Sequence, residues 1–159
     1  MLTPFMLTPE QIESKLDRIL LKVQKPGRYV GGELNSTIKD WDKISTKVAF
    51  VFPDIYDIGV SNVGLKILYD QVNQRDDALA ERAYAPWLDM EVLMREHRIP
   101  LYTLESKRPL AGFDLIGFPS PMRPSIPTRS MCLIWLGFPC ALPIGTKHIP
   151  LSSRVDTRP

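Results

Sequence analysis

Carboxylates, a phenol, a hydroxyl, an amide and two glycines crowd one short stretch of the chain: Asp54, Tyr56, Asp57, Gly59, Ser61, Asn62 and Gly64. A loop of this kind can turn backbone N–H groups and a helix N-terminus toward an anionic or polar ligand. Asp54, Tyr56, Gly59, Ser61, Asn62 and Gly64 are therefore the candidate ligand-binding residues. The plainer alternative is that Ser61 or Asn62 caps a helix while Gly59 turns the chain. Neither GxGxxG nor GxxxxGK followed by Ser or Thr occurs, so the stretch is no phosphate-binding fingerprint.

The remaining reactive side chains are sparse. His97 and His148 are the only histidines, and His97 falls near the C-terminus of an expected helix, where it serves as a dipole partner. Cys132 and Cys140 match no metal spacing. No nucleophile–base pair or metal cluster can be assembled, so no catalytic or metal-binding residue is assigned.

The elements that must position the loop can be read from periodicity. Val48 to Phe52 is an apolar, β-branched run that suits a strand buried on both faces, and it ends at Pro53. Beyond the loop, Leu65, Leu68, Tyr69 and Val72 share one helix face. A buried strand, a loop at its carboxyl end and an amphipathic helix open a βαβ unit, and in open α/β sheets that loop is where ligands bind.

Upstream, Thr8, Pro9 and Gln11 start a helix as cap, first residue and capping-box partner. Ile12, Leu16, Ile19, Leu20 and Val23 line its face, and Pro26-Gly27 ends it. Gly27 to Asp40 is expected to be an ordered loop with a short strand. Downstream, the pattern gives strands over Glu81 to Ala85, Ile99 to Leu104 and Phe113 to Phe118, the last buried, with a helix over Trp87 to His97. Trp41 and Trp87 are expected to be packing anchors. The whole predicts an α/β fold, a Rossmann-like, doubly wound, mostly parallel sheet that is incomplete and preceded by an N-terminal helix.

The 159 residues are 44% hydrophobic, enough for one core, and 20 basic against 18 acidic residues leave no electrostatic footprint for nucleic acid. The most apolar run of the tail, Met131 to Ile144, is broken by Pro139 and Pro143 and is shorter than the roughly 20 residues that cross a bilayer. No secretory signal is visible, and the chain reads as cytoplasmic. Composition changes sharply at Phe118: Pro119 to Pro159 holds eight of the 15 prolines, both cysteines and a single acidic residue, Asp156. The chain divides accordingly into residues 1–25, the N-terminal helix, residues 26–118, the partial Rossmann-like domain, and residues 119–159, the tail.

Several stretches together resemble the amino-terminal domain of a family of radical S-adenosylmethionine (radical SAM) proteins that carry a cobalamin (B12)-binding-like domain before the radical domain. They are Gly27-Arg28-Tyr29-Val30-Gly31-Gly32-Glu33 with Asn35, Phe52-Pro53-Asp54 with Tyr56, and Ile58-Gly59 with Ser61-Asn62 and Gly64-Leu65. Ala85-Pro86-Trp87 with Asp89-Met90, Leu104-Glu105-Ser106 with Arg108-Pro109-Leu110, and Phe113-Asp114 with Ile116-Gly117-Phe118 follow in order. The resemblance implies a domain that precedes a barrel holding a 4Fe–4S cluster and S-adenosylmethionine through a CxxxCxxC triad. That triad is absent, so the chain is not expected to be catalytic alone, and the radical SAM domain is a missing partner. Cobalamin is the ligand implied for the Pro53 to Gly64 loop, yet no Asp-x-His-x-x-Gly pattern supplies a lower axial histidine, so binding would be base-off or histidine-free. A stand-alone interaction module that docks through the Thr8 to Val23 helix face is the alternative reading. A small nucleotide-dependent enzyme is a third, weakened by the missing phosphate-binding glycines.

The resemblance ends at Phe118, and the tail reads as an out-of-frame, disordered segment. Back-translated and shifted by one base, it admits NALNVLDLAGIPL, an amphipathic helix, and PLVIAGG, a buried strand, which are the next βα repeat. Met131 followed by Cys132 forces valine in that frame, and Met122 followed by Arg123 allows glutamate. A base dropped from a T run across the Gly117 and Phe118 codons would produce the junction. A natural proline-rich disordered tail is the competing account.

Overall fold

A computed structural model of the chain describes residues 7–118. The first helix, α1 (Pro9–Ile19), begins as expected: the Thr8 hydroxyl accepts from the Gln11 N–H, and the Gln11 side chain accepts from the Thr8 N–H. Ile12, Leu16 and Ile19 are buried, and a 3-10 turn (Leu20–Lys22) continues the helix to buried Val23. The Gly27 to Asp40 stretch holds no strand; α2 (Gly27–Val30) stands there instead. It stops at Gly31, whose φ of 75° and close approach to the Leu104 carbonyl both exclude a side chain.

The sheet has three strands, β1 (Thr46–Phe52), β2 (Ala78–Tyr84) and β3 (Leu115–Gly117), all parallel in the order β2-β1-β3. In the register Val48 lies opposite Ala80 on one side and Leu115 on the other. Between β1 and β2 come α3 (Tyr56–Gly59) and α4 (Val63–Asn73), the latter packed on both strands through Leu65 and Tyr69. After β2 comes α5 (Leu88–Glu96), with Met90 and Met94 buried. Because β2 and β3 flank β1, the two crossovers leave in opposite directions, and right-handed connections put their helices on opposite faces. This is the doubly wound arrangement, an incomplete Rossmann-like α/β fold with an N-terminal helix.

β2 begins three residues earlier than its sequence pattern suggests, because Ala78 to Ala80 have weak strand propensity and are placed by pairing with β1. Ile99 to Leu104, expected as a strand, forms no ladder. It folds back on its own continuation: Tyr102 bridges Pro109, Thr103 N–H donates to Arg108 O, and Leu110 N–H donates to Leu101 O.

The outer edge of β2 is closed by two side chains and one backbone N–H. The Asn73 side chain donates to Ala80 O and accepts from Ala80 N–H, at 3.1 and 2.9 Å. At Arg82, the carbonyl accepts from Leu104 N–H and the N–H donates to Glu105 Oε2. Such substitutes for a neighbouring strand blunt an edge. β3, expected to be buried, is the opposite edge: Leu115 is 58% exposed, and no strand lies beyond it among the described residues. The expected continuation from Pro119 onward lies outside those residues.

Candidate functional site

The carboxyl ends of β1 and β2 present Phe52, Pro53 and Tyr84, and α3 folds across them. Gly59 is buried there because a Cβ would stand 2.4 Å from the Tyr84 ring and 2.8 Å from Phe52. Tyr56 meets Tyr84 edge-on, with ring centroids 5.3 Å apart. Asp57 ties α3 to the preceding segment through ion pairs with Arg28 and Lys25. Arg28 in turn lies over the Trp87 ring at 5.7 Å, and Trp87 N–H donates to the Tyr29 hydroxyl.

The six candidate residues take distinct places in this arrangement. Asp54 is exposed, its carboxylate accepting from Ile55 N–H and its carbonyl from Ala85 N–H. Tyr56 donates its hydroxyl to Glu33 Oε1 at 2.5 Å. Burial and that carboxylate push its phenol up to about 12. Asn62 caps α4 by accepting from Leu65 N–H at 2.8 Å. Ser61 and Gly64 are exposed on the same turn. The loop thus brings Tyr56 and Gly59 inward while Asp54, Ser61 and Gly64 face water. His97 stands at the far end of α5, where its carbonyl accepts from Lys15 Nζ. Trp41 packs edge-on against Phe113, whereas Trp87 is only half buried, under Arg28.

Sequence reasoning passed over the charged network on which Tyr56 rests. Arg82 projects from β2 between two carboxylates, with Nη1 2.8 Å from Glu33 Oε2 and Nε 2.7 Å from Glu105 Oε1, over the Tyr69 ring at 4.5 Å. Its side chain is 7% exposed and that of Glu105 2%. Burial pushes the Glu105 carboxyl up despite Arg82. Burial opposes the Arg82 charge, but Glu105 overcomes it and the guanidinium is held above its ordinary range. Beside this pair, Glu81 Oε2 accepts from the Thr103 and Ser106 hydroxyls at 2.5 and 2.7 Å. The available signal was Glu81-Arg82 itself, two adjacent charges inside an otherwise apolar strand, which must find partners when buried.

The motif stretches therefore meet in space: Glu33, Tyr56, Tyr84 and Glu105 converge on Arg82, and Lys107 donates to Val30 O. The arrangement locks the loop to the domain through charge and aromatic packing. Among the described residues there is no group of three or more His, Cys, Asp or Glu suited to a metal ion. Nor is any helix among them long and apolar enough to cross a membrane. No curated protein and no solved structure matches the chain. Residues 64–126, from the start of α4 past Phe118, match the family model described as radical SAM proteins, N-terminal, and that stretch bears the signature of a radical SAM N-terminal region.

Proposed function

We propose that the chain is the front portion of a radical SAM protein, comprising its N-terminal B12-binding-like domain, and that it is not catalytic alone. The observation that carries this reading is the family match over residues 64–126, which covers α4, β2, α5 and β3 and runs on past Phe118 to residue 126. The domain's role is to present the carboxyl edge of a parallel sheet to the radical domain that follows it. The 4Fe–4S cluster and S-adenosylmethionine belong to that later domain, and residues 119–159 are its approach read in the wrong frame.

Cobalamin does not fit the Pro53 to Gly64 loop as it is built. The space at Gly59 is filled by Tyr84 and Phe52, the Asn62 amide oxygen is committed to its cap, and the Tyr56 hydroxyl is committed to Glu33. The loop contains no histidine, and His97 lies at the other end of α5. The B12-binding-like character is accordingly one of fold, with Asp54, Ser61 and Gly64 left to meet solvent or the next domain. The interaction-module alternative lacks its surface, since Ile12, Leu16 and Ile19 on α1 are spent on the domain's own core.

Expressing the gene with its frame restored beyond Gly117, followed by anaerobic reconstitution and a cobalamin titration, tests both parts. The expected product shows the absorbance of an iron–sulfur cluster and no spectral change with cobalamin. A restored reading without a cluster would overturn the family assignment, and a cobalamin-induced change would overturn the account of the loop.

A further inference from the structure

A cavity lies away from the carboxyl edge, between the segment 37–42 and the bend 105–108, with a volume of about 290 Å³. Small-molecule sites begin near this size, with volumes of roughly 300 Å³. Two cations and four acids line it: Lys39 and Arg108 against Asp40, Asp42, Glu81 and Glu105.

Most of these charges are already committed. Lys39 Nζ donates to the carbonyls of Asn73, Arg75 and Ala78. Asp40 pairs with Lys43, and Glu105 pairs with Arg82. Glu81 is 2% exposed and takes the Thr103 and Ser106 hydroxyls. Arg108 and Asp42 are left, their side chains in neither an ion pair nor a hydrogen bond among the described residues.

Arg108 is also pre-positioned. Its guanidinium lies 4.2 Å over the Trp41 ring, and its Nε is buried with no acceptor. The Trp41 ring is fixed in turn by Phe113 at 5.0 Å and by Lys47 at 5.2 Å. A guanidinium held over an indole ring offers its terminal N–H groups as a fork suited to a carboxylate. The acids on the same wall leave it net negative, which disfavours a plain anion and favours a ligand carrying an ammonium group too.

We infer that the cavity lined by Trp41, Asp42, Glu81 and Arg108 binds a small zwitterion of the free α-amino-acid class, its carboxylate on Arg108 and its ammonium toward Asp42. The site is separate from the Pro53 to Gly64 loop and does not depend on the radical SAM reading.

The test titrates each of the twenty free L-amino acids into the full chain, read by tryptophan fluorescence and melting midpoint. At least one is expected to bind at millimolar concentration or below. Its amide and its N-acetyl derivative, and the variant Arg108→Gln, should each weaken binding by about tenfold or more, the worth of one charge-assisted hydrogen bond. Arg108→Lys should recover part of the loss. Asp42→Asn, at an exposed position whose side chain has no partner, leaves the fold untouched and should weaken the free amino acid while sparing its N-acetyl derivative. No response to any amino acid at tens of millimolar, or equal binding of the N-acetyl derivative and the parent, overturns the inference.

Discussion

The carboxylate of Glu105 holds Arg82 twice, accepting from its backbone N–H at 2.8 Å and from its guanidinium Nε at 2.7 Å. One side chain thus satisfies a strand edge and neutralises a buried charge. Removing it leaves Arg82 inside the protein with Glu33 alone. Glu105→Ala should therefore cost about 3–5 kcal/mol, as breaking a buried ion pair does, and urea unfolding measures it. A loss under about 1 kcal/mol would place the pair in the class of solvent-screened surface bridges.

Asn73 does for Ala80 what a neighbouring strand would do. Asn73→Ala removes both hydrogen bonds and uncovers the β2 edge. Stability should fall by about 2 kcal/mol, and self-association should rise because an exposed edge templates pairing. Denaturation and light scattering read the two effects separately.

Gly59 and Gly64 separate packing from ligand binding within the candidate loop. Gly59→Ala pushes a methyl group into Tyr84 and Phe52 and should destabilise by about 1–3 kcal/mol, the range for overpacking. Gly64→Ala meets only the Asn62 Oδ1 at 3.3 Å and should lie within about 1 kcal/mol of the parent. Equal melting midpoints for the two variants would contradict the packing account of Gly59.

Alkali should unfold the protein through its tyrosines. Tyr56 is held at about 12, and burial raises the phenols of Tyr29, Tyr69, Tyr84 and Tyr102 above their ordinary value. The unfolded chain releases these protons near pH 10 while the folded chain keeps them, so above that pH the unfolded state binds fewer protons and stability falls. The contribution is complete below about pH 10 and is lost as pH rises through the folded values. Urea midpoints followed across this window should drop, and Tyr56→Phe should flatten the slope. A flat profile would refute the burial of these phenols.

What periodicity could reveal was the skeleton. The capping box at Thr8, the buried run to Phe52 and the faces of α1, α4 and α5 depend on neighbours in sequence and stand where the pattern puts them, except that Leu68, placed on the α4 face, is exposed. Elements governed by distant partners were less legible. Ile99 to Leu104 is apolar enough for a strand, but Glu105 occupies the Arg82 N–H that a ladder would need. β3 is apolar yet exposed, because burial depends on what lies beyond it. At the loop, Asn62 could be read as cap or ligand, and its capping geometry became visible only with α4 in place. The Glu33–Arg82–Glu105 network joins residues far apart in the chain, and only the charges within β2 hinted at it.

The central proposal is that this chain is the leading part of a radical SAM protein whose frame slips at the Gly117 and Phe118 codons, and sequencing the source DNA across them tests it most directly. The account predicts one additional base in the T run, restoring a frame that runs on through NALNVLDLAGIPL and PLVIAGG to a CxxxCxxC motif. An unshifted reading that stops after Pro159, with no such motif in any downstream frame, would contradict it.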